Sequence, residues 1–329
     1  MTCDATPYDL VVSIINYRTG ALTIACVTSV IEDLRGSPDI RAHVVVVDNA
    51  SGDGSDEVID NWISEQGPDF PVTLIRSARN TGFSGGHNQG MSAKRAVFYL
   101  VLNSDAILKP GFCEAMLKAA RATPDAGLFT PYIESEDCSQ QASCFRMHSP
   151  LSELIRGAAT GPVTTLFKRY VLTLDMPPDP DQIRWASFAG ILLRAEMIKE
   201  VGLMDADYFL YFEDTEYCLR AGRLGWRITY VPEARFIHFL GGSTALKTLA
   251  QARKRLPKYY YASRTRLLYQ AHGRMGLFVA NLFWHVGRGL AQMRRFVGKP
   301  VPSAMEKEWQ DIWTNALKPL GDSYQPKGN

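Results

Sequence analysis

The sequence lacks the patterns that mark membrane-spanning, secreted or zinc-binding proteins. No segment offers about 20 uninterrupted apolar residues, so we expect no transmembrane helix. The amino terminus, MTCDATPYDL, has no basic region followed by an apolar run, so we expect no signal peptide. The six cysteines are scattered without a CxxC pair, which fits a reducing cytoplasm better than a disulfide framework or a zinc site.

The sequence also lacks a strong excess of charge of either sign. The net charge is +2, and the contents of charged residues (21%) and hydrophobic residues (46%) are ordinary for a globular protein. Bulk charge therefore gives no reason to expect a nucleic-acid partner. The length, 329 residues, is enough for one large domain or two smaller ones.

The first half of the chain alternates short apolar runs with stretches of helical spacing. Strands are predicted at 9–16, 42–49, 71–76, 96–103 and 127–133, and helices at 19–34, 54–66, 86–95 and 110–121. Strands that alternate with helices imply right-handed βαβ units and a mostly parallel sheet. The apolar runs lack polar alternation, which suits strands that are buried on both faces.

The second half is less regular at first. We expect no regular pattern in residues 134–182, which end in a flexible loop, DMPPDPDQ. Residues 185–202 predict a strand that runs into a helix, and residues 227–239 predict a further strand. From about residue 247 the pattern is helical and basic to the end.

The predicted strands end in polar residues, where ligands bind in open α/β sheets. The four ends are Asn16-Tyr17-Arg18, Asp48-Asn49-Ala50-Ser51, Arg79-Asn80-Thr81-Gly82 and Asn103-Ser104-Asp105. Asp48 stands where a dinucleotide-binding fold places its ribose-binding acid, but the turn NYRTGALT after the first strand lacks the GxGxxG pattern of that fold. The alternative for Asp48 is a turn residue that ends a strand.

Residues 80–90, NTGFSGGHNQG, contain four glycines. A glycine-rich loop lets the backbone approach a ligand closely, and its N–H groups can bind anions. The alternative is a simple strand-to-helix turn.

Asp105 offers a carboxylate at the end of a buried strand. Such a group can bind a hard cation that bridges a diphosphate, because Mg²⁺ takes only one or two protein carboxylates and fills its other positions with water and phosphate oxygens. The alternative is a turn aspartate that caps the following helix.

Two further segments contain candidate reactive groups. In YFEDTEYCLR the acids at the start of a helix favour its dipole, and Glu216 can pair with Arg220. Asp214 is left free to act as a general base towards a substrate hydroxyl. His238 ends an apolar strand, where a histidine is either a hydrogen-bonded core residue or a metal ligand.

Together these segments resemble the inverting glycosyltransferases of family 2, which have the nucleotide-sugar-binding GT-A fold. The matching pieces follow the family's order between residues 9 and 245: VVSIINYRTGALTIACVTSV, VVVVDNASGDGS, RNTGFSGGHNQG, LVLNSDAIL, GILLRAEMIKEVGLMDADYFLYFEDTEYCLRAGRLGW and YVPEARFIHFLGGS. Within the family the sequence looks most like bacterial rhamnosyltransferase-type enzymes that build cell-surface polysaccharides.

The resemblance implies a role for each matching residue. Asp48 reads the nucleobase or ribose of the donor, with Asn16 and Tyr17 near the base, while Asn80 and Gly82 lie in the loop that approaches the nucleotide. Residues Asn103, Ser104 and Asp105 occupy the place of the Asp-x-Asp metal motif. Glu213 and Asp214 match the Glu-Asp motif, in which Asp214 is the catalytic base and Glu213 contacts the substrate. His238 completes the site of a divalent cation, Mg²⁺ or Mn²⁺.

The sequence departs from the family pattern at two positions. Asn103 replaces the first aspartate of the metal motif, and an amide adds no negative charge there. We therefore expect the cation to depend on Asp105, the diphosphate and His238. His87 stands where asparagine is common.

The resemblance divides the chain into a catalytic domain, residues 1–245, and a basic helical extension, residues 246–329. The implied partners are a nucleotide-diphosphate sugar and a saccharide or lipid-linked acceptor. In the extension, basic residues beside an apolar helical face are typical of interfacial membrane helices. The alternatives are packing on the catalytic domain or in a homodimer. We expect a cytoplasmic protein, with peripheral contact at the inner face of the cytoplasmic membrane as a hypothesis.

The sequence leaves three alternatives to a glycosyltransferase. A sugar-phosphate nucleotidyltransferase shares a related sheet but needs a glycine-rich, basic loop after the first strand, and NYRTGALT does not supply one. A glycosidase needs two catalytic carboxylates but no nucleotide-type sheet. A catalytically degenerate, transferase-like binding subunit is favoured by Asn103 and disfavoured by the intact Glu213, Asp214 and His238.

Overall fold

The computed structural model of the chain describes residues 7–239 and 246–321. Its strands are β1 (Tyr8–Asn16), β2 (Ala42–Asp48), β3 (Val72–Arg76), β4 (Ala96–Leu102), β5 (Ala106–Leu108), β6 (Ala126–Glu134), β7 (Cys144–Phe145), β8 (Trp185–Ala186), β9 (Gly190–Arg194) and β10 (Arg227–His238). Its α-helices are α1 (Gly20–Arg35), α2 (Ser55–Glu65), α3 (Gly82–Ser92), α4 (Phe112–Ala122), α5 (Pro150–Ala158), α6 (Gly161–Leu166), α7 (Ala195–Val201), α8 (Glu213–Arg223), α9 (Leu246–Gln251), α10 (Lys258–Gln292) and α11 (Glu308–Asp311).

Eight strands form one sheet in the order β3-β2-β1-β4-β9-β6-β10-β5. Strands β3, β2, β1 and β4 are parallel, as are β6 and β10. Strand β9 runs antiparallel to both β4 and β6, and β5 runs antiparallel to β10. Residues Val44, Val45, Val46 and Val47 have no exposed surface, as expected for a strand covered on both faces. The predicted mostly parallel sheet with helices on both faces is confirmed.

The reversal of two strands brings distant segments to the carboxyl edge of β4. The turn 103–105 follows β4 and leads into β5, where Ala106 pairs with His238 at the end of β10. Strand β9 begins at the same edge, since Gly190 pairs with Leu102. The sheet therefore places the turn after β4 beside the end of β10 and the start of β9.

The glycine-rich segment is mainly a helix, α3, which begins at Gly82 rather than near residue 86. Its glycines allow the helix to lie close to the sheet. A Cβ atom on Gly86 would lie 2.7 Å from Cδ1 of Ile15, and one on Gly90 would lie 2.2 Å from Oγ of Ser13. Two of the four glycines, Gly86 and Gly90, therefore pack against strand β1, and anion binding by the N–H groups of this segment stays a prediction.

Residues 134–182 contain more regular structure than the sequence predicts. Helix α5 has a capping box, in which Oγ of Ser149 accepts from the backbone of Ser152 at 3.1 Å and Oγ of Ser152 accepts from the backbone of Ser149 at 2.9 Å. Pro150 occupies the first turn, where its missing N–H costs nothing. The helix was missed because it is short and its packing partner comes more than 100 residues later.

That partner is the long helix α10, which changes direction at Gly273 (φ 70°). Its second half crosses α5 at two glycines: a Cβ atom on Gly157 would lie 2.3 Å from the backbone oxygen of Trp284, and one on Gly287 would lie 2.4 Å from that of Leu154. The predicted helical character of the C-terminal region is confirmed, and this helix packs on the rest of the protein.

A buried ionic network reinforces the same contact. Arg264 of α10 donates from Nη2 to Oε2 of Glu153 in α5 at 2.6 Å, and both side chains are buried. Arg156 bonds the same carboxylate and also Glu308 of α11. These pairs hold the pKa of Glu153 at about 2, because two guanidinium groups outweigh the effect of burial. Within the described ranges, no helix is long and apolar enough to span a bilayer.

Candidate active site

A cavity of about 260 Å³ opens at the carboxyl ends of β1, β2 and β4. Five of the predicted site residues line it: Tyr17, Asn80, Gly82, Asn103 and Ser104. Ser104 is tied to the loop after β1, because its hydroxyl lies 3.1 Å from that of Thr19. The cavity thus lies where the topology of an open α/β sheet predicts a ligand.

Two predicted nucleotide-binding residues, Asn16 and Asp48, lie beneath the cavity and do not line it. Nδ2 of Asn16 donates to Oδ1 of Asp48 at 2.7 Å, and its Oδ1 accepts from Thr19 and Thr23. The Asp48 carboxylate also accepts from the hydroxyl of Ser51 at 2.5 Å. Both side chains are buried and their polar atoms are used internally. Their direct contact with a nucleotide stays a prediction.

The residue after Asp48, Asn49, lines the cavity although it is also buried. Nδ2 of Asn49 donates to Oδ1 of Asn80 at 3.0 Å and to the carbonyl of Gly82 at 2.9 Å. Its Oδ1 accepts from the backbone N–H of Thr81 at 2.9 Å. Asn49 therefore fixes the loop before α3 against the end of β2. Its place in the sequence, directly after a strand, was the only signal for this role.

His87 lies on the cavity-facing side of α3. Its Nδ1 lies 2.9 Å from Oγ of Ser13, and its ring contacts Phe83 edge to face. Burial lowers the pKa of His87 to about 3, so the ring is neutral at physiological pH. It contributes a neutral hydrogen-bonding surface rather than a positive charge.

The predicted metal residues meet at the edge between β4 and β10. Nε2 of His238 lies 3.3 Å from Oδ1 of Asp105 and 3.2 Å from Nδ2 of Asn103. Asp105 is buried, and its Oδ1 has no hydrogen-bond donor within the described residues. A buried carboxylate oxygen without a donor is suited to a cation.

Gln141, which no sequence pattern indicated, orients the histidine. The amide of Gln141 donates from Nε2 to the carbonyls of Glu134 (3.2 Å) and His238 (3.0 Å), so its Oε1 faces Nδ1 of His238 at 3.3 Å. An oxygen there requires the hydrogen on Nδ1, so Nε2 keeps its lone pair, which accepts from Nδ2 of Asn103 and lies close to Oδ1 of Asp105.

One carboxylate oxygen and one imidazole nitrogen fit a divalent cation that takes its remaining ligands from a bound diphosphate and water. No cluster of three or more His, Cys, Asp or Glu side chains that could hold a metal occurs in the part of the chain that the structure describes. Binding of a cation by Asp105 and His238 stays a prediction.

Asp214 lies in the first turn of α8, half-buried. Its Oδ1 accepts from the backbone N–H of Thr215 at 2.7 Å, and the backbone N–H of Phe188 also bonds the carboxylate. The next carbonyl, that of Ala189, accepts from the backbone of Asn103 at 2.9 Å. Two consecutive residues, Phe188 and Ala189, thus connect Asp214 to the turn that contains Asn103. Burial raises the pKa of Asp214 to about 6, against the opposing effect of these hydrogen bonds.

Glu213 is buried, and its Oε2 has no partner among the described residues. Burial and the neighbouring charge of Asp214 raise the pKa of Glu213 well above its ordinary value. The predicted ion pair between Glu216 and Arg220 is present, with Nε and Oε1 2.6 Å apart. Of the three acids in this turn, only Asp214 is partly exposed.

The segment before α8 also belongs to the cavity. Phe209 and Leu210 line it, and the next two residues, Tyr211 and Phe212, have left-handed backbones (φ 71° and 69°). Tyr259, from the first turn of α10, completes the wall, with its ring centroid 5.7 Å from that of Phe209. Nothing in the sequence indicated Tyr259, because it follows the last motif by some 20 residues.

The chain is similar to several curated glycosyltransferases. It is 29% identical over 221 residues to the N-acetylglucosaminyl-diphospho-decaprenol L-rhamnosyltransferase of Mycobacterium tuberculosis, a match that covers 61% of this chain and 67% of the relative. It is 24% identical over 222 residues to the low-salt glycan biosynthesis hexosyltransferase Agl10 of Haloferax volcanii, covering 65% and 62% of the two chains.

Solved structures share the fold at low sequence identity. The mannosyltransferase PcManGT from Pyrobaculum calidifontis, in complex with GDP-Man and Mn²⁺, matches 90% of this chain and 77% of its own with a TM-score of 0.53 and 13% identity. GalNAc-T7, with UDP, GalNAc and Mn²⁺, matches 92% of this chain and 60% of its own with a TM-score of 0.56 and 15% identity. The expected GT-A fold is thereby confirmed.

The family pattern named "Glycosyl transferase family 2" matches residues 11–191, which is more than half of the chain. That span contains the ends of β1, β2 and β4 and therefore most of the cavity wall. This match and the glycosyltransferase relatives favour a glycosyltransferase over a sugar-phosphate nucleotidyltransferase. The chain belongs to glycosyltransferase family 2.

Proposed function

We propose that this protein transfers a sugar, such as rhamnose from dTDP-rhamnose, to a hydroxyl group of a lipid-linked saccharide acceptor, with inversion at the anomeric carbon. The choice of sugar and acceptor is supported by the mycobacterial relative, an L-rhamnosyltransferase named for an N-acetylglucosaminyl-diphospho-decaprenol, and the choice of nucleotide by similarity to the dTDP-rhamnosyl transferase RfbF of Shigella flexneri. A role in the synthesis of cell-surface polysaccharides follows from the same proposal.

The donor's nucleoside occupies the cavity beside Tyr17 and Asn80. An aromatic ring and a half-buried amide offer a stacking surface and hydrogen-bonding groups, which is the combination that nucleoside sites use. In this pose the diphosphate lies over Asn103 and Ser104, next to the carboxylate of Asp105.

Asp214 acts as the general base. A carboxylate with a pKa of about 6 is ionised at neutral pH and still basic enough to accept the proton of an acceptor hydroxyl during attack. The acceptor oxygen bonds to the anomeric carbon while the bond to the departing diphosphate breaks, so the configuration inverts. This partly exposed, pKa-shifted carboxylate, which Phe188 and Ala189 connect to the metal-motif turn, is the observation that carries the proposal.

Asp105 and His238 would hold a divalent cation, Mg²⁺ or Mn²⁺, which would neutralise the charge that develops on the leaving diphosphate. Gln141 keeps Nε2 of His238 available for it, and Asn103 adds a neutral amide at the same edge. With one carboxylate at the site, we propose that the donor and the cation bind together.

A second candidate is a subunit that binds nucleotide sugars without transferring them. It is favoured by Asn103, which removes one negative charge from the metal motif. Turnover separates the two candidates, because both bind donor and only one consumes it.

The experiment is a thermal-shift screen of nucleotide sugars with and without Mn²⁺, followed by a transfer assay with the best donor and a lipid-linked N-acetylglucosamine acceptor. We expect dTDP-rhamnose with Mn²⁺ to give the largest shift and a rhamnosylated product. A larger shift with another sugar nucleotide would contradict the assignment of dTDP-rhamnose as the donor. Binding of a sugar nucleotide without any product would favour the second candidate.

A further inference from the structure

The region that includes the C-terminal helices has a one-sided charge distribution. Residues 234–305 contain thirteen lysines and arginines but no aspartate or glutamate, in a chain whose net charge is only +2. Some of these cations are paired with acids from elsewhere, as Arg264 is with Glu153 and Arg255 is with Asp311. Arg274, Arg295 and Lys299, which flank the second half of α10, are exposed.

The second half of α10 is apolar on two opposite sides. One side is buried against α5 and its neighbours and includes Ala280, Trp284 and Ala291. The other side carries large apolar residues and continues into the turn that follows the helix. These residues remain exposed by 37% to 74%, and we call them the apolar face: Met275, Phe278, Leu282, Val286, Leu290 and, just after α10, Met293. At about 100° per residue, these six side chains fall within an arc of roughly 120° centred opposite the buried side.

The last described turns extend this face. The ring of Trp313 lies 6.0 Å from that of Phe278 and parallel to that of His285, and 37% of Trp313 is exposed. Arg274 donates to the carbonyl of Leu317, a residue that is 88% exposed. A continuous apolar strip of this length on a globular protein marks an interaction site.

The surrounding charges decide between two occupants. In a two-fold dimer formed through the apolar face, two identical helices would lie against each other. The end at Arg274 would then face either Arg274 or the end at Arg295 and Lys299 of the second copy, and both ends are basic. Like charges would therefore be brought together without a carboxylate in residues 234–305 to compensate them. An anionic lipid surface complements both features, since it takes up apolar side chains and attracts lysine and arginine.

We propose that the apolar face, with Arg274, Arg295 and Lys299 at its ends, docks this protein on an anionic membrane surface. The helix lies in the plane of the interface, and its buried side keeps its contact with α5. None of these residues lines the cavity, so this docking is independent of the donor, the acceptor and the reaction.

The test is flotation of the full-length protein with phosphatidylcholine vesicles, with and without phosphatidylglycerol. We expect recovery with the anionic vesicles and at least about tenfold weaker binding to the neutral ones, with binding reduced by added salt. The double variant Leu282→Glu and Val286→Glu should lower the partition coefficient at least about tenfold, and so should Arg295→Glu with Lys299→Glu.

The control is Val58→Glu, which charges a similarly exposed apolar residue on α2 and should leave vesicle binding unchanged. Sedimentation equilibrium without lipid should give a monomer. A dimer that the double variant dissociates would overturn the proposal in favour of a second copy, and equal soluble recovery of the unmodified chain with both vesicle types would overturn it outright. Donor-induced thermal shifts of the same variants report on the proposed function separately.

Discussion

Gln141 accepts a hydrogen bond from Nδ1 of His238 at 3.3 Å because its own N–H groups are committed to the carbonyls of Glu134 and His238. Gln141 lies in the hairpin that follows β6, in which Glu134 pairs with Gln140. Its side chain bonds the backbones of the parallel neighbours β6 and β10 and fixes which ring nitrogen of His238 carries hydrogen. His238 is thereby held in the tautomer that a metal ligand needs.

Gln141→Leu should weaken Mn²⁺ binding about 10- to 100-fold in the presence of a nucleoside diphosphate, because the ring would no longer be held in one tautomer and orientation. Electron paramagnetic resonance of free Mn²⁺ measures this directly. The matched control is Gln140→Leu, since the neighbouring glutamine donates to the hydroxyl of Tyr230 instead. An equal loss in both variants would mean that the hairpin, not the Gln141 contact, was disturbed.

Asn103→Asp should increase the affinity for Mn²⁺ in the absence of nucleotide, because a second carboxylate would join Asp105 at the site. Calorimetry of the unmodified chain should show weak Mn²⁺ binding without nucleotide and tighter Mn²⁺ binding with it. The variant should bind Mn²⁺ tightly even without nucleotide. Tight binding by the unmodified chain alone would contradict the idea that donor and cation bind together.

Asp214→Asn should reduce kcat about 10²- to 10⁴-fold while leaving donor binding nearly unchanged, because the base would be lost and the cavity kept. In the unmodified enzyme kcat/KM should fall as the pH drops through about 6, where Asp214 becomes protonated, and should level off above it. Glu57→Gln, which neutralises an exposed acid on α2, serves as the control. Normal turnover by Asp214→Asn would show that the base lies elsewhere.

The same substitution should stabilise the protein at neutral pH. The folded pKa of Asp214, about 6, exceeds the value of an unfolded aspartate, so the stability linked to its protonation is complete below about pH 4 and is lost as the pH rises through 6. Asparagine does not ionise and avoids this loss, so urea unfolding should show a gain of about 1–3 kcal/mol at pH 7.5. The gain should shrink at pH 5, and a constant difference would point to another cause.

Gly90→Ala should destabilise the protein by about 1–3 kcal/mol, because the added methyl group would overlap the hydroxyl of Ser13 under α3. The control is Gly222→Ala near the end of α8, where a Cβ atom meets nothing within 4 Å and the helix should gain up to about 1 kcal/mol. Thermal unfolding of the two variants should therefore move in opposite directions.

The sequence predicted the sheet well where apolar runs were long and unbroken. β1, β2 and β4 begin and end within one or two residues of expectation, because a strand buried on both faces leaves a continuous run of Val, Ile and Leu. Short elements such as β5 and α5 escaped, since their stability comes from partners that are distant in the chain.

The candidate site was predictable only in part, for a related reason. Polar residues at strand ends located the cavity, but the pattern could not show that Asp48 would be enclosed by Asn16 and Ser51 while Asn49 formed the wall. Gln141 and Tyr259 reach the site through a hairpin and a distant helix, and no local spacing signals such contacts.

The close crossing of α5 and α10 at Gly157 and Gly287 bears on how the chain is made. During synthesis, α5 is complete long before residues 258–292 are added. Glu153 and Arg156 therefore lack their partners Arg264 and Glu308 at the stage when the sheet can already form. The segment that joins β6 to β9 then reaches its final packing only after α10 and α11 have been synthesised. A nascent chain stalled before residue 258 would already contain every strand but would leave the region around α5 open to proteases and chaperones.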